Sequence, residues 1–218
     1  MCIKKRREQN WNQIFSKKGR VFDEPLDEVK RFSIGLKKSG LTQILDLGCG
    51  SGRHTIYLKQ EDLHVWGLDN APAGLKLTQT WLQAKKLQVP LILADVHDPF
   101  PFKEGSFDGL ISTRVIHHAT QEKVIGAVKE IIRVVRKGGM ILITVPGGSK
   151  RENYHRWFGH RTLIKWIEPH TYIPLRGREK GIPHYIFTQE ELSTLFEGFA
   201  ELHIDIDEKQ LIQVTARK

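Results

Sequence analysis

The sequence predicts an α/β fold with a doubly wound, mostly parallel sheet, and three observations support this prediction. Short apolar runs alternate with helical patterns along the chain, which is typical of parallel strands joined by crossover helices. A glycine-rich turn, Gly48–Gly52, directly follows the first apolar run. The chain has 218 residues, a length that fits one α/β domain with a modest insertion better than two domains.

The first part of the chain is expected to be helical. Apolar residues at helical spacing mark two helices: Trp11, Ile14 and Phe15 within about 9–17, and Val29, Phe32 and Leu36 within 25–38. The alternating core follows, with strands over 43–47, 64–68, 91–94, 107–112 and 140–145. Its helices are expected over 53–60, from near 72 to about 86, and over 123–135. Thr188 is expected to cap a helix that runs to about 197, and two strands near 200–206 and 210–216 finish the sheet.

Four segments divide the expected single domain. They are a basic helical extension over 1–38, a core over 40–148, an insertion over 149–184, and a closing helix and strands over 185–218. The insertion mixes aromatic and basic residues, and it is expected to lie as a helical lid over the carboxyl ends of the strands. Its aromatic residues at 154, 157, 158 and 166 are equally compatible with the packed faces of two helices.

The net charge of +9 is concentrated in two segments. Residues 1–20 carry +6 and residues 150–180 carry +5, so an anionic partner such as RNA is one interpretation, and a solvated tail with a solubilising insert is the other. No apolar segment is long enough to cross a bilayer, and the basic start lacks the apolar stretch of a secretory signal. The 2 cysteines suggest neither a disulfide framework nor a zinc site, so a cytoplasmic protein is expected.

The segment from Ile44 to Gly52 carries the strongest chemical signal. A strand runs into glycines that let the backbone approach a ligand, at the sheet edge where ligands bind in open α/β folds. The spacing is G-x-G-x-G, and Arg53 stands where a dinucleotide fingerprint requires glycine. The pattern therefore favours S-adenosylmethionine, which has no phosphate. Asp46 is placed to pair with its ammonium group, and Gly48, Cys49, Gly50 and Arg53 are expected to line its site.

The ends of the next three strands add polar groups to the same edge. Asp69 ends the second strand, where a carboxylate accepts hydrogen bonds from ribose hydroxyls, and Asn70 follows on the adenine side. Both residues could also cap the helix that begins near Pro72. Asp95 and Val96 are expected to contact the adenine, and Thr113 is expected to face the methionine end of the cofactor.

Together, the segments ILDLGCGSGRHT, VWGLDN, LADVHDPFPF, FDGLISTRVIHH and RVVRKGGMILITVP resemble the successive motifs of class I S-adenosylmethionine-dependent methyltransferases. The resemblance spans about residues 40–148. It implies a Rossmann-like seven-stranded sheet whose last strand is antiparallel, and a cofactor held by Asp46, Gly48, Gly50, Asp69, Asp95 and Val96. The flanking segments are similar to those of a group of small microbial members of the family.

The methyl acceptor is expected to lie under the insertion. His118 is the candidate general base, because the end of the fourth strand faces the methyl group in the family, although packing against the adenosyl group is an equal interpretation. Candidate substrate-binding residues are His117, Tyr154, Trp157, Tyr172 and His184. No cluster of His, Cys, Asp or Glu has the spacing of metal ligands, so no metal is expected.

Three functions are compatible with these patterns. A small-molecule acceptor is favoured, because no known RNA-binding module is appended to the core. A tRNA acceptor is the alternative, since the VIHH segment and the segment from His184 to Thr188 also resemble those of tRNA wobble-uridine methyltransferases. A module that binds S-adenosylmethionine without catalysis is the third. The sequence gives no information about oligomeric state.

Overall fold

Residues 3–147, 163–208 and 210–218 are described by the computed structural model of this chain, with side chains described from residue 11 onward. The helices are α1 (Ile3–Lys18), α2 (Asp27–Lys38), α3 (Arg53–Gln60), α4 (Pro72–Ala84), α5 (Gln121–Val134) and α6 (Gln189–Leu195). The strands are β1 (Gln43–Leu47), β2 (His64–Asp69), β3 (Leu91–Leu93), β4 (Phe107–Thr113), β5 (Val135–Pro146), β6 (Ile164–Glu168), β7 (Thr171–Pro174), β8 (His184–Tyr185), β9 (Ala200–Ile206) and β10 (Leu211–Arg217).

The main sheet has 7 strands in the order β3-β2-β1-β4-β5-β10-β9. Strands β1 to β5 pair in parallel, and β10 runs antiparallel to both of its neighbours. The predicted doubly wound fold is therefore confirmed, including its antiparallel last strand. The strand order reverses between β1 and β4, which places the switch point of the sheet at the glycine turn after β1.

Helices cover both faces of this sheet, and the central strands are apolar on both sides for that reason. Along β1, Ile44 packs with the buried residues of α2 and α3, whereas Leu45 and Leu47 pack with those of α5 and α6. A strand buried on both faces needs continuous apolar sequence, which is the pattern that identified these strands. The core thus holds the carboxyl ends of the strands at one rigid edge.

The boundaries of two elements differ from the sequence-based expectation by five residues or more. Helix α1 begins at Ile3 rather than near residue 9, and β5 begins at Val135, immediately after α5. The expected cap of α6 is confirmed, since the amide of Glu191 donates to Thr188 Oγ1 at 3.1 Å. Among the described residues, no helix is both long and apolar enough to cross a membrane.

The expected helical insertion is wrong for its described part, which is a second sheet in the order β6-β7-β8. Strands β6 and β7 form an antiparallel pair in which Trp166 lies opposite Tyr172, with ring centroids 5.6 Å apart. Cross-strand aromatic pairing of this kind stabilises a hairpin, and a helical reading of the spacing could not detect it. Tyr154 and Trp157 lie outside the described residues.

Candidate active site

The turn after β1 has a backbone conformation that requires glycine. Gly48, Gly50 and Gly52 have φ of +79°, +54° and +94°, in the left-handed region that other residues rarely adopt. At Gly48 an added Cβ would also lie 2.4 Å from a methyl carbon of Val115. The turn therefore packs its backbone directly against the loop that follows β4.

Asp69, at the end of β2, holds this turn. One carboxylate oxygen accepts from the amide of Gly50 and the other from the amide of Ala71, each at 2.8 Å. Burial raises the pKa of Asp69, while the bonds from these amides lower it. The carboxylate also lines the adjacent cavity, so it has the position expected of a partner for ribose hydroxyls.

The cavity beside the turn has a volume of about 310 Å³, which is within the range of small-molecule sites. Its lining brings together most of the residues predicted to bind the cofactor: Gly48, Cys49, Gly50, Arg53, Asp69, Asn70, Val96 and Thr113. It also includes four of the predicted acceptor-site residues: His117, His118, Tyr172 and His184. One continuous cavity therefore joins the predicted cofactor site and the predicted acceptor site.

Asp46 and Asp95 are exceptions, because they lie behind the lining rather than in it. The hydroxyl of Thr55 donates to Asp46 Oδ2 at 2.6 Å, and burial raises the pKa of Asp46 to about 7. Asp95 Oδ1 accepts from the amide of His97 and lies 3.0 Å from Nδ1 of the same residue. The sequence identified the right strand ends, but these two carboxylates bond to protein groups instead of facing the cavity.

His97 connects the end of β3 to the loop after β4. Its Nε2 lies 2.8 Å from the carbonyl oxygen of Ile116, the residue before the histidine pair. Both ring nitrogens therefore face oxygen acceptors, which fixes the orientation of the ring. In this way Asp95 supports, through His97, the loop that carries the histidine pair.

Arg53 and Arg114 bring positive charge to the lining of the cavity. Burial and then the charge of Arg114 lower the pKa of Arg53, and the Arg53 guanidinium lies 4.7 Å from the ring centroid of Phe22. Arg114 has a φ of +59°, an unusual conformation for a residue other than glycine. Two guanidinium groups in one cavity provide a site for a carboxylate.

Helix α1 contributes cavity residues that the sequence did not identify as functional. Trp11 and Phe15 line the cavity, and the ring centroid of Trp11 lies 6.2 Å from that of His118. The amide of Ala73 donates to Asn12 Oδ1 at 2.7 Å, which fastens α1 to the start of α4. Helical spacing revealed the buried face of α1, but the position of this face over the cavity depends on tertiary packing.

The predicted acceptor end of the cavity, called the histidine end below, contains three buried histidines from two separate segments. His117 and His118 follow β4, and His184 begins β8; their exposed fractions are 5%, 8% and 2%. The ring centroids of the adjacent pair lie 4.0 Å apart, and His184 stacks on Tyr172 with centroids 5.1 Å apart. The amide of Tyr185 donates to the carbonyl oxygen of His117 at 2.8 Å, which holds the two segments together.

Glu179 places a carboxylate beside these histidines. Its two oxygens lie 3.7 Å from His118 Nε2 and 3.5 Å from His184 Nε2. Burial raises the pKa of Glu179, and it lowers the pKa of His184 to about 3. Glu179 was not predicted as a site residue, because nothing near it in the sequence distinguishes it from other charged residues of the insertion.

The groups that line the cavity fit S-adenosylmethionine. Asp69 offers a carboxylate for the ribose hydroxyls, the two arginines suit the carboxylate of the methionine end, and Phe15 and Val96 provide apolar surface for the adenine. The chemistry of these groups matches the polar and apolar parts of the cofactor.

Comparisons with known proteins agree with this geometry. A family model described as a methyltransferase domain matches residues 44–139. The tRNA (carboxymethyluridine(34)-5-O)-methyltransferase alkbh8 of Xenopus tropicalis is 34% identical over 122 residues, which cover 56% of this chain and 18% of that protein. The chain spans less than half the length of the other curated relatives compared.

Solved structures share the fold over nearly the whole chain. The 1,6-didemethyltoxoflavin-N1-methyltransferase of Burkholderia thailandensis, with bound S-adenosylhomocysteine, has a TM-score of 0.65 at 19% identity and covers 99% of this chain and 88% of its own. Magnesium protoporphyrin IX methyltransferase of Synechocystis PCC 6803, with bound S-adenosylmethionine, has a TM-score of 0.68 at 13% identity, with coverage of 100% and 98%. The sheet order, the cavity at its switch point and the match of the methyltransferase model to these strand ends agree with one another: the chain is similar to the class I S-adenosylmethionine-dependent methyltransferases over residues 44–139, and these findings support S-adenosylmethionine as its cofactor.

Proposed function

We propose that this chain methylates a small molecule held at the histidine end of the cavity. The observation that carries the proposal is the enclosure of this end, where His117, His118, His184 and Tyr172 are each at least 90% buried. Helix α1 contributes Trp11 and Phe15 to the lining of the cavity, and the β6-β7-β8 sheet contributes Tyr172 and His184. A small acceptor fits such a site with little rearrangement of the protein.

The cofactor supplies a methyl group on a positively charged sulfur, which is already a good leaving group. The protein then has to orient the acceptor and exclude water, and orientation alone contributes several kcal/mol. Arg53 and Arg114 are proposed to fix the methionine end, while Trp11 and Phe15 cover the cavity. His118 remains the predicted base for an acceptor that must lose a proton, with Glu179 3.7 Å away as the next proton acceptor.

A tRNA acceptor is the second candidate, because several of the curated relatives carry tRNA methyltransferase names. The match to the first of them covers 56% of this chain. In this function the basic segments would contact phosphates, and an unstacked base would enter the cavity beside the aromatic residues.

A methyl-transfer assay with labelled cofactor separates these candidates. RNA-depleted small-molecule extract and total tRNA are offered to the purified chain in separate tubes, and we expect label only in the small-molecule tube. Label in tRNA would overturn the proposal in favour of the second candidate. Binding of the cofactor without release of S-adenosylhomocysteine in either tube would indicate a non-catalytic module.

A further inference from the structure

We propose that His117, His118 and His184 form a site for one zinc ion at the histidine end of the cavity. Each histidine offers one ring nitrogen, and these three nitrogens all lie within 4.8 Å of one another. Imidazole nitrogen is a preferred zinc ligand, and three histidines are one of the ligand sets that hold catalytic zinc. The spacing of residues in the sequence could not reveal this group, because His184 comes from a strand of the second sheet.

The chemistry of the group favours a cation over an anionic ligand. His117 Nδ1 is buried and has no hydrogen-bond partner within the described part of the chain. The Glu179 carboxylate beside two of the rings adds a negative group, which a divalent cation would attract.

The surrounding structure holds the ligands close to their required positions. Zinc bound tetrahedrally at about 2.0–2.1 Å needs nitrogens roughly 3.3 Å apart, so the rings must approach one another by about 1.5 Å at most. The hydrogen bond from Tyr185 to His117 fixes the two segments, and the stack on Tyr172 orients His184. Small side-chain rotations are therefore enough to complete the site.

Three histidine ligands leave one position of the zinc open toward the cavity. A catalytic role for this open position rests on the proposed function. An acceptor hydroxyl or thiol bound there loses its proton to Glu179, because the metal lowers the pKa of the acceptor group. The lone pair on its oxygen or sulfur forms the new bond to the methyl carbon, and the electron pair of the broken carbon–sulfur bond stays on the cofactor sulfur. When zinc is bound, His118 is a ligand, so it cannot also act as the base.

Zinc binding is tested on the full chain without a histidine tag, after removal of metal by a chelator. Zn²⁺ is titrated in competition with a chromophoric chelator, and Co²⁺ is used in parallel for its visible absorption spectrum. We expect one equivalent to bind, and the Co²⁺ spectrum to have the intensity of a four-coordinate site. Absence of stoichiometric binding by the wild-type chain would overturn the proposal, whatever the variants do.

Two variants locate the ion. His184→Gln is expected to weaken zinc binding by about 100-fold or more, and Glu179→Gln by about 10-fold, as for a group beside the ligands. His64→Gln is the matched control, since His64 is exposed at the amino end of β2, far from the cavity, and should bind zinc like wild type. Circular dichroism checks that each variant is folded, and equal affinities for wild type and a folded His184→Gln would place the ion elsewhere.

The outcomes also separate this site from the proposed function, because binding is measured without cofactor or acceptor. If the chain binds zinc through His184 but methylates no small molecule, the zinc site is supported and the proposed function is overturned. If the chain binds no zinc but methylates a small molecule in the presence of chelator, the proposed function is supported and the zinc site is overturned.

Discussion

The carboxylate of Asp69 serves the turn and the cavity together, and its replacement should affect both. In Asp69→Ala the amides of Gly50 and Ala71 lose their acceptor, and the ribose should lose its predicted partner. We expect the affinity for S-adenosylhomocysteine, measured by calorimetry, to fall by about 1–3 kcal/mol. Asp205→Ala, at an exposed position of β9, is the control, and an unchanged affinity in Asp69→Ala would contradict the assigned role.

The carboxyl group of Asp46 should make stability depend on pH. Its pKa is about 7 in the folded chain because burial disfavours the charged form, whereas an unfolded Asp ionises near pH 4. Between these values the folded state binds the additional proton, so the contribution of Asp46 to the free energy of unfolding falls as the pH rises from about 4 to 7.

Asp46→Asn cannot ionise and should not show this contribution. Urea unfolding should therefore show the variant gaining roughly 2–3 kcal/mol relative to wild type between about pH 5 and pH 8. If the difference in unfolding free energy between Asp46→Asn and wild type does not change with pH, the Asp46 carboxyl group does not have the raised pKa. If saturating S-adenosylhomocysteine removes this pH-dependent difference between variant and wild type, Asp46 contacts the ammonium group as the sequence predicted. Because Thr55 already donates to the carboxyl group, we expect the pH-dependent difference to persist.

At the scale of elements, helix α1 depends on one side chain for its attachment to α4. Residue Ala71 at the cap of α4 has no side chain that can accept a hydrogen bond, and Asn12 accepts from the amide of Ala73 in its place. Asn12→Ala should lower the free energy of unfolding by about 1 kcal/mol, the usual effect of losing a cap. Proteolysis should also cleave α1 sooner at Lys17 or Lys18.

The control for this prediction is Gln13→Ala, which changes the adjacent, exposed residue of the same helix. Urea unfolding and limited trypsin digestion compare the two variants with wild type. Equal stability and equal cleavage rates in both variants would show that the Asn12 bond does not hold α1 over the cavity.

The second sheet shows which element features sequence can and cannot reveal. Helical spacing suggested two helices for 149–184, but β6 and β7 pair through Trp166 and Tyr172. Short aromatic segments are compatible with both periods, and pairing with a distant strand decides between them. Strand β8 then delivers His184 to the loop after β4, a contact between residues far apart in the chain.

At the scale of the whole molecule, the net charge of +9 makes ionic strength a test of the acceptor. A small acceptor bound in an enclosed cavity should be methylated at rates that change less than about twofold between roughly 50 and 200 mM salt. Bound tRNA with 6–10 phosphate contacts would lose about 10³–10⁵ in affinity over the same range. A steep salt dependence of methyl transfer would contradict the small-molecule proposal.

The sequence by itself determined the sheet core, the glycine turn and the order of polar groups at the strand ends. These features are local: a strand buried on both faces is apolar along its length, and a turn with several residues at positive φ strongly favours glycine. The cofactor could be predicted for the same reason, since Gly48 to Asp69 carry the pattern within 22 residues. The expected cytoplasmic location and the single domain stay predictions.

Only the tertiary structure decided which of these groups face the cavity and what they meet there. Asp46 and Asp95 lie at the ends of the strands that border the cavity, as predicted. Their carboxylates, however, contact Thr55 and His97 instead of facing the cavity. The cover from α1 and the meeting of His117 and His118 with His184 depend on contacts between segments distant in sequence. Such contacts follow from how whole elements pack, and neither residue spacing nor local propensity contains that information.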